Sequence, residues 1–302
     1  MFAEVDDVQM EFQEYVPLKN YTSYKIGGPA QYFCEPASAT DIKTALHFAR
    51  EQKIPVYIMG NGTNLLVSDA GVSGLVIRLA RKLSHFSIKE RSVRVGIGLP
   101  LDHLISRLAR DGWGNFESLA GIPGTVGGGI FMNAGAHGVS LGEFVRESLV
   151  MDLHGNILRL PQAKHNFNYR SSIFQHQALI VLETKLAISA KPKPILLQTI
   201  ANSKKKRSQL PLLPSCGSTF RNPAQGYAGK IIEDMGLKGA QVGRAQISPV
   251  HANFIVNLGG AKANDVYSLI RLVQKEAADR GIEMLTEVRL WGEFDIMKRR
   301  EQ

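Results

Sequence analysis

The stretch Gly121–Gly138, GIPGTVGGGIFMNAGAHG, constrains this 302-residue chain more than any other segment. Seven of its eighteen residues are glycine, set in a sequence that is otherwise ordinary and rich in apolar residues. Glycine loses the most backbone entropy on folding, so a dense run has a physical reason. Two are available: turns that need φ > 0, and a backbone lying too close to a bound molecule for a Cβ. The earlier run Gly60-Asn61-Gly62-Thr63-Asn64 offers a second surface of this kind. Together they read as two glycine-rich surfaces closing on one large phosphate-bearing ligand, with peptide N–H groups as anion donors. Tight turns without a ligand are the plainer alternative.

The length allows two or three domains and an ample core. The composition is that of a globular protein, 44% hydrophobic and 21% charged. No apolar run approaches the roughly 18 residues of a membrane span. The N-terminus, MFAEVDDVQMEFQEY, is acidic and lacks the basic-then-apolar order of a signal peptide. Two cysteines, Cys34 and Cys216, exclude a disulfide framework and point to a reducing cytoplasm. The net charge of +9 suits either nucleic acid or small polyanions drawn into a cleft. Its densest cluster, Lys204-Lys205-Lys206-Arg207, ends a helix expected to begin near Pro194, where cations complement the helix dipole. A solvated helix end is therefore expected there, and no nucleic-acid motif accompanies it.

Periodicity predicts a helix over Ser38–Lys53, with Thr40-Asp41 as cap candidates, then a buried strand Ile54–Met59. With the apolar run Gly74–Leu79 this makes a β-α-β arrangement whose Gly60–Asn64 loop follows a strand, where ligands commonly sit. The dinucleotide fingerprint fails because Leu65 stands at its third glycine, and the phosphate-loop pattern fails because Ile231 follows Gly229-Lys230. Further on, a strand is expected at Arg91–Gly98 and a helix at Pro100–Asp111. A hairpin follows at Glu147–Leu153 and Asn156–Leu160, and a strand at Ala178–Ile188. The last third reads as a helix Tyr227–Met235, a strand Ala252–Asn257, a helix Asn264–Arg280 and a strand Leu285–Trp291. Boundaries near 80 and 200 divide the chain into 1–80, 81–199 and 200–302.

Scattered histidines and distant cysteines give no metal-ligand spacing. Ser218, in CGSTF, does not fit the hydrolase elbow. Three unusual polar contexts remain: Phe167–Ser172, Pro214–Pro223 and Leu285–Arg289. Taken singly, Arg170 reads as a surface arginine, Ser218 as a turn residue and Glu287 as an outward strand carboxylate.

Taken together, these segments resemble the UDP-N-acetylenolpyruvoylglucosamine reductases of bacterial cell-wall synthesis. The resemblance runs nearly end to end. It begins at Tyr21–Ala30 and continues through Gly60–Leu65, Ile122–Gly138, Tyr169–Phe174, Gly217–Pro223, Ala228–Gly239 and His251–Asn257, closing at Glu287-Val288-Arg289. It implies an α+β architecture: a two-subdomain FAD-binding fold of the vanillyl-alcohol-oxidase (PCMH) type, formed by 1–80 and 81–199, plus a C-terminal α+β substrate-binding domain over 200–302. It also implies FAD and NADPH as cofactors and UDP-N-acetylglucosamine enolpyruvate as substrate, in a cytoplasmic enzyme of peptidoglycan synthesis expected to be a monomer without nucleic-acid or membrane partners.

By the match, the FAD-binding residues are Gly60, Asn61, Gly62, Thr63, Asn64 and Leu65 on one surface. On the other they are Gly121, Ile122, Pro123, Gly124, Thr125, Gly127, Gly128, Asn133 and Gly135. The resemblance implies hydride delivery to C3 of the enolpyruvyl group, Arg170 and Glu287 stabilising charge at its carboxylate, and Ser218 giving a proton to C2. A protonated Glu287 suits that role, and burial would raise its pKa. Asn222, Lys230 and Gln241 are the matched residues for the sugar nucleotide. His137, Thr219, Arg221 and Thr286 depart from the family's usual residues, and the short Phe174–Ser215 segment resembles its compact class. The alternatives are an oxidase of the same cofactor fold and a non-catalytic nucleic-acid-binding protein.

Overall fold

A computed structural model of the chain describes residues 10–294. The N-terminal third builds a four-stranded sheet in the order Gln13–Pro17, Pro29–Cys34, Val72–Arg78, Val56–Met59. Its first pair is antiparallel and the other two are parallel. Between Pro29–Cys34 and Val56–Met59 runs α1, Ala39–Glu51, which buries Ile42, Ala45, Leu46 and Ala49. The helix and the strands Val56–Met59 and Val72–Arg78 are the expected ones; the strand that opens the β-α-β unit, Pro29–Cys34, is not among those expected. The cap differs from the expected Thr40-Asp41. Ser38 is the N-cap, its hydroxyl accepting from Asp41 N–H at 3.1 Å while Asp41 accepts from Ser38 N–H at 3.0 Å. That reciprocal box satisfies two helix-end donors at once.

The middle third forms an antiparallel sheet in the order Ile157–Pro161, Val145–Asp152, Leu179–Ala187, Ser92–Gly96, Phe86–Lys89. Helix α2, Leu101–Arg110, buries Leu101, Leu104, Ile105 and Leu108 in the apolar core it shares with that sheet. Each buried aliphatic contributes about 2 kcal/mol, so this stripe fixes the helix. The glycine tract forms α3, Val126–Met132, and α4 spans Lys193–Arg207. One core joins Leu75 and Ile77 of the first sheet to Val93 and Val95 of the second and to Leu196 and Ile200 of α4. The 199/200 division thus falls inside α4.

The C-terminal third carries α5, Ala228–Asp234, a three-stranded sheet ending at Ile255–Asn257, and α6, Ala263–Ala278. Its separate core includes Phe220, Ile232, Ile247 and Leu269, and it takes Tyr24, Ile26 and Leu66 from the N-terminal third. The chain then returns: Arg289–Trp291 pairs in parallel with Leu65–Val67, just past the first glycine loop. The strand expected over Leu285–Trp291 is therefore shorter, and Thr286 makes an isolated bridge to Phe220 instead. Among the described residues no helix is long and apolar enough to cross a membrane.

Candidate active site

The two glycine-rich surfaces touch. A Cβ on Gly60 would lie 2.6 Å from Thr125 Oγ1, and one on Gly124 would lie 3.0 Å from Thr63 Oγ1. Thr63 in turn donates to Pro123 O at 3.4 Å. Gly62 has φ +61°, and a Cβ there would fall 2.2 Å from Tyr21 O. These glycines are required by the chain's own packing. Gly128 is different. It is exposed in the first turn of α3, its φ is helical, and the nearest atom to a Cβ would be Thr125 Oγ1 at 3.6 Å. Glycine in a helix costs about 1 kcal/mol relative to alanine, and no protein atom here demands it. Among the described residues, none of the five peptide N–H groups from Gly60 to Asn64 finds an acceptor. A cradle open at Gly128, edged by free N–H donors, fits the diphosphate of a dinucleotide.

Arg170 stands beside this cradle. Its turn is closed by paired bonds between Asn168 and Ser171, and its own φ is +53°, a left-handed conformation costly for arginine. The turn is tied to the glycine tract through Asn133, which ends α3, donates to Asn168 O at 2.8 Å and accepts from Gly142 N–H at 2.9 Å. The guanidinium donates to Gly135 O at 2.9 Å and to Glu287 Oε1 at 3.0 Å. It also lies over the Tyr169 ring, 5.1 Å from the centroid.

Glu287 is held by its backbone between the other parts. Its N–H donates to Thr219 O at 2.8 Å, and its carbonyl accepts from Asn64 Nδ2 at 3.0 Å. The carboxylate is 17% exposed. Burial raises its pKa above the usual carboxylate range, against the opposing pull of Arg170 and Arg221. The expected outward strand carboxylate is thus an inward one.

Ser218 lies in a loop clamped on both sides. Thr219 N–H donates to Asn253 O at 2.7 Å and Phe220 N–H to Asn253 Oδ1 at 2.9 Å. Ser23 donates to Ser215 O at 2.7 Å. The half-buried Ser218 hydroxyl has no partner among the described residues and lines a cleft of about 340 Å³ with Lys230, Lys238 and His251. The neighbouring Cys216 is buried, its thiol pushed up to about 12 by that burial, and stays protonated.

A larger cleft, about 1080 Å³, is lined by Asn133, Gly135, His137, Phe167, Tyr169 and Arg170 among others, and meets the smaller one at Asn222 and Tyr227. Asn222 therefore sits where the matched residues converge, its Oδ1 accepting from Ala228 N–H at 3.0 Å. Lys230 lines the smaller cleft but is ion-paired with Asp234. Gln241 lines neither cleft; it is exposed and donates to Gly243 O at 2.8 Å. The sequence reading missed Tyr169, Tyr227, Lys238 and His251 as lining residues. Tyr169, Lys238 and His251 stood inside the matched segments Tyr169–Phe174, Ala228–Gly239 and His251–Asn257, the available signal. The basic run is also more than a solvated end: Lys204 pairs with Asp102 at 2.8 Å, and Arg207 packs on Gly121, which has φ +80°.

Residues 30–161 match the model of an FAD binding domain, and residues 207–291 match that of the UDP-N-acetylenolpyruvoylglucosamine reductase C-terminal domain. UDP-N-acetylenolpyruvoylglucosamine reductase 2 of Symbiobacterium thermophilum is 43% identical over 279 residues, 91% of either chain. The chain belongs to the UDP-N-acetylenolpyruvoylglucosamine reductase family. The Synechococcus elongatus reductase is 41% identical over 287 residues, 93% of this chain and 95% of that one. The crystal structure of the Thermus caldophilus reductase superposes with a TM-score of 0.83 at 35% identity, covering 94% of this chain and 100% of that one. The chain is thus an FAD-dependent oxidoreductase with the expected α+β FAD-binding fold and C-terminal domain. Both glycine surfaces lie in the FAD domain match and Ser218 and Glu287 in the C-terminal one, while Arg170 falls between the two matched ranges and bridges them.

Proposed function

We propose that the chain converts UDP-N-acetylglucosamine enolpyruvate to UDP-N-acetylmuramate with NADPH as reductant, in the cytoplasm and as a monomer. FAD, held by the two glycine-rich surfaces, would supply hydride transfer from NADPH to C3 of the enolpyruvyl group. The residues of this chain handle the charge that follows. Addition at C3 leaves carbanion character at C2, spread into the adjacent carboxylate. Arg170, fixed by Gly135 and Glu287, presents its remaining N–H donors to that carboxylate before the charge develops. Glu287, its pKa raised by burial, supplies a proton-bearing oxygen beside the same group. The unpaired Ser218 hydroxyl gives its proton to C2, completing the reduction of the double bond. Gly60–Leu65 and Gly121, Ile122, Pro123, Gly124, Thr125, Gly127, Gly128, Asn133 and Gly135 hold the cofactor. Asn222 and Lys230 hold the sugar nucleotide. Gln241 is assigned no part, because it lies away from both clefts. The cofactor unit is proposed to divide near residue 80 and to extend to the end of α4, moving the start of the substrate domain past Arg207.

The observation that carries this reading is Glu287, hydrogen-bonded to Arg170 through its side chain while its backbone links Thr219 to Asn64. The test follows flavin absorbance without oxygen. Bleaching by NADPH and recovery on adding the sugar nucleotide are expected. Recovery in air alone would overturn the substrate assignment in favour of an oxidase.

A further inference from the structure

Tyr227 stands where the two clefts meet, 77% exposed. One exposed aromatic needs no explanation in itself. This one has a built setting. The backbone that carries it runs from Asn222 to the start of α5 and is pinned at both ends: Asn222 Oδ1 accepts from Ala228 N–H at 3.0 Å, and Asn222 N–H donates to the Tyr169 hydroxyl at 3.4 Å. Tyr169, itself 53% exposed, lines the larger cleft beside Arg170. The Tyr227 ring is thus held at its base and open at its faces. On one side lies the cleft holding Arg170, on the other the cleft holding Ser218, Lys230 and Lys238.

A ligand with its diphosphate near those lysines and its reacting end near Ser218 lies in the cleft that Tyr227 also lines, with the ring within its span. An accessible aromatic face suits the π-face of a nucleobase, whereas a diphosphate gains nothing from it. We infer that Tyr227 is the platform on which the base of the nucleotide stacks, with the Tyr169–Asn222 contact positioning it; this rests on the reading that the substrate is a uridine diphosphate sugar.

The experiment is titration calorimetry on the FAD-loaded protein with two probes, UDP and inorganic diphosphate. Tyr227→Ala is expected to weaken UDP about tenfold and leave diphosphate unchanged, and Tyr227→Phe to bind UDP within about twofold of the parent, since the ring and not the hydroxyl is used. Equal losses of both probes, or no loss of either, in a Tyr227→Ala protein of unchanged melting temperature would overturn the platform. Because the readout is binding, a selective loss of UDP supports the platform even where the sugar nucleotide fails to reoxidise the flavin, a failure that counts against the proposed reaction alone.

Discussion

Arg170 Nε and Glu287 Oε1 lie 3.0 Å apart across 117 positions of the chain, and their contact joins the turn beside the glycine tract to the C-terminal segment. Arg170 serves Glu287 through Nε and Gly135 O through a terminal nitrogen, and the single point of a lysine ammonium does not reproduce that fork in Arg170→Lys. Reoxidation of the flavin by the sugar nucleotide should fall about 100-fold while FAD stays bound. Single-turnover absorbance measures both. A variant that reoxidises at the parent rate would remove Arg170 from the chemistry.

Ser218→Ala removes a hydroxyl that no group among the described residues uses. Flavin reduction by NADPH should be unchanged and reoxidation by substrate should slow by about 100- to 10,000-fold. Equal slowing of the two half-reactions would contradict proton donation by Ser218.

Glu287 titrates above the usual carboxylate range because burial outweighs Arg170. The proton therefore persists into pH values where an ordinary glutamate has lost it. If the protonated form assists, reoxidation is fast at low pH and declines as pH rises through the raised value. Glu287→Gln should flatten that limb. A decline of the same shape in the variant would assign the titration to another group.

Gly62→Ala and Gly128→Ala separate packing from ligand approach. The first puts a Cβ 2.2 Å from Tyr21 O at φ +61°, so it should lower the melting temperature of the apoprotein. The second meets nothing closer than 3.6 Å and should stabilise the apoprotein by up to about 1 kcal/mol while weakening FAD binding. Thermal melts with and without FAD distinguish them. Unimpaired FAD binding by Gly128→Ala would remove that position from the cradle.

His165 is fully buried, with Nε2 2.9 Å from Ser148 Oγ and Nδ1 3.0 Å from Pro161 O. Burial lowers its pKa below the ordinary histidine value. The fold thus favours the neutral ring, and this stability is complete above the unfolded pKa and is lost as pH falls from about 6.5 through the lowered folded value. Melting temperatures should drop over that range, and less so in His165→Gln. Parallel curves would place the acid sensitivity elsewhere.

Much of this fold was legible because its elements carry their own pattern. Leu101, Leu104, Ile105 and Leu108 announce α2, and the alternation in Leu179–Ala187 announces a central strand. What escaped depends on distant partners. Residues 285–288 look like the start of a strand, but Leu65–Val67 pairs with Arg289–Trp291 alone, leaving Glu287 free to turn inward. Lys204–Arg207 looks like a solvated end because nothing in the run reveals that Gly121 lies under Arg207. Glycine itself is ambiguous: Gly62 and Gly128 are identical in sequence terms, and only the neighbours of each show which is packed and which is open.

The parallel pairing of Leu65–Val67 with Arg289–Trp291 carries a consequence for how the protein is made. Asn64, on the first glycine loop, is bonded to residues near the end of the chain: its Nδ2 to Glu287 and its carbonyl to Arg289 N–H. A ribosome that has synthesised only the N-terminal two-thirds has produced most of the cofactor cradle without the strand that braces it. Full capture of the flavin must therefore wait until Arg289–Trp291 has been synthesised, and messages cut short upstream of Arg289 should yield chains that hold it poorly.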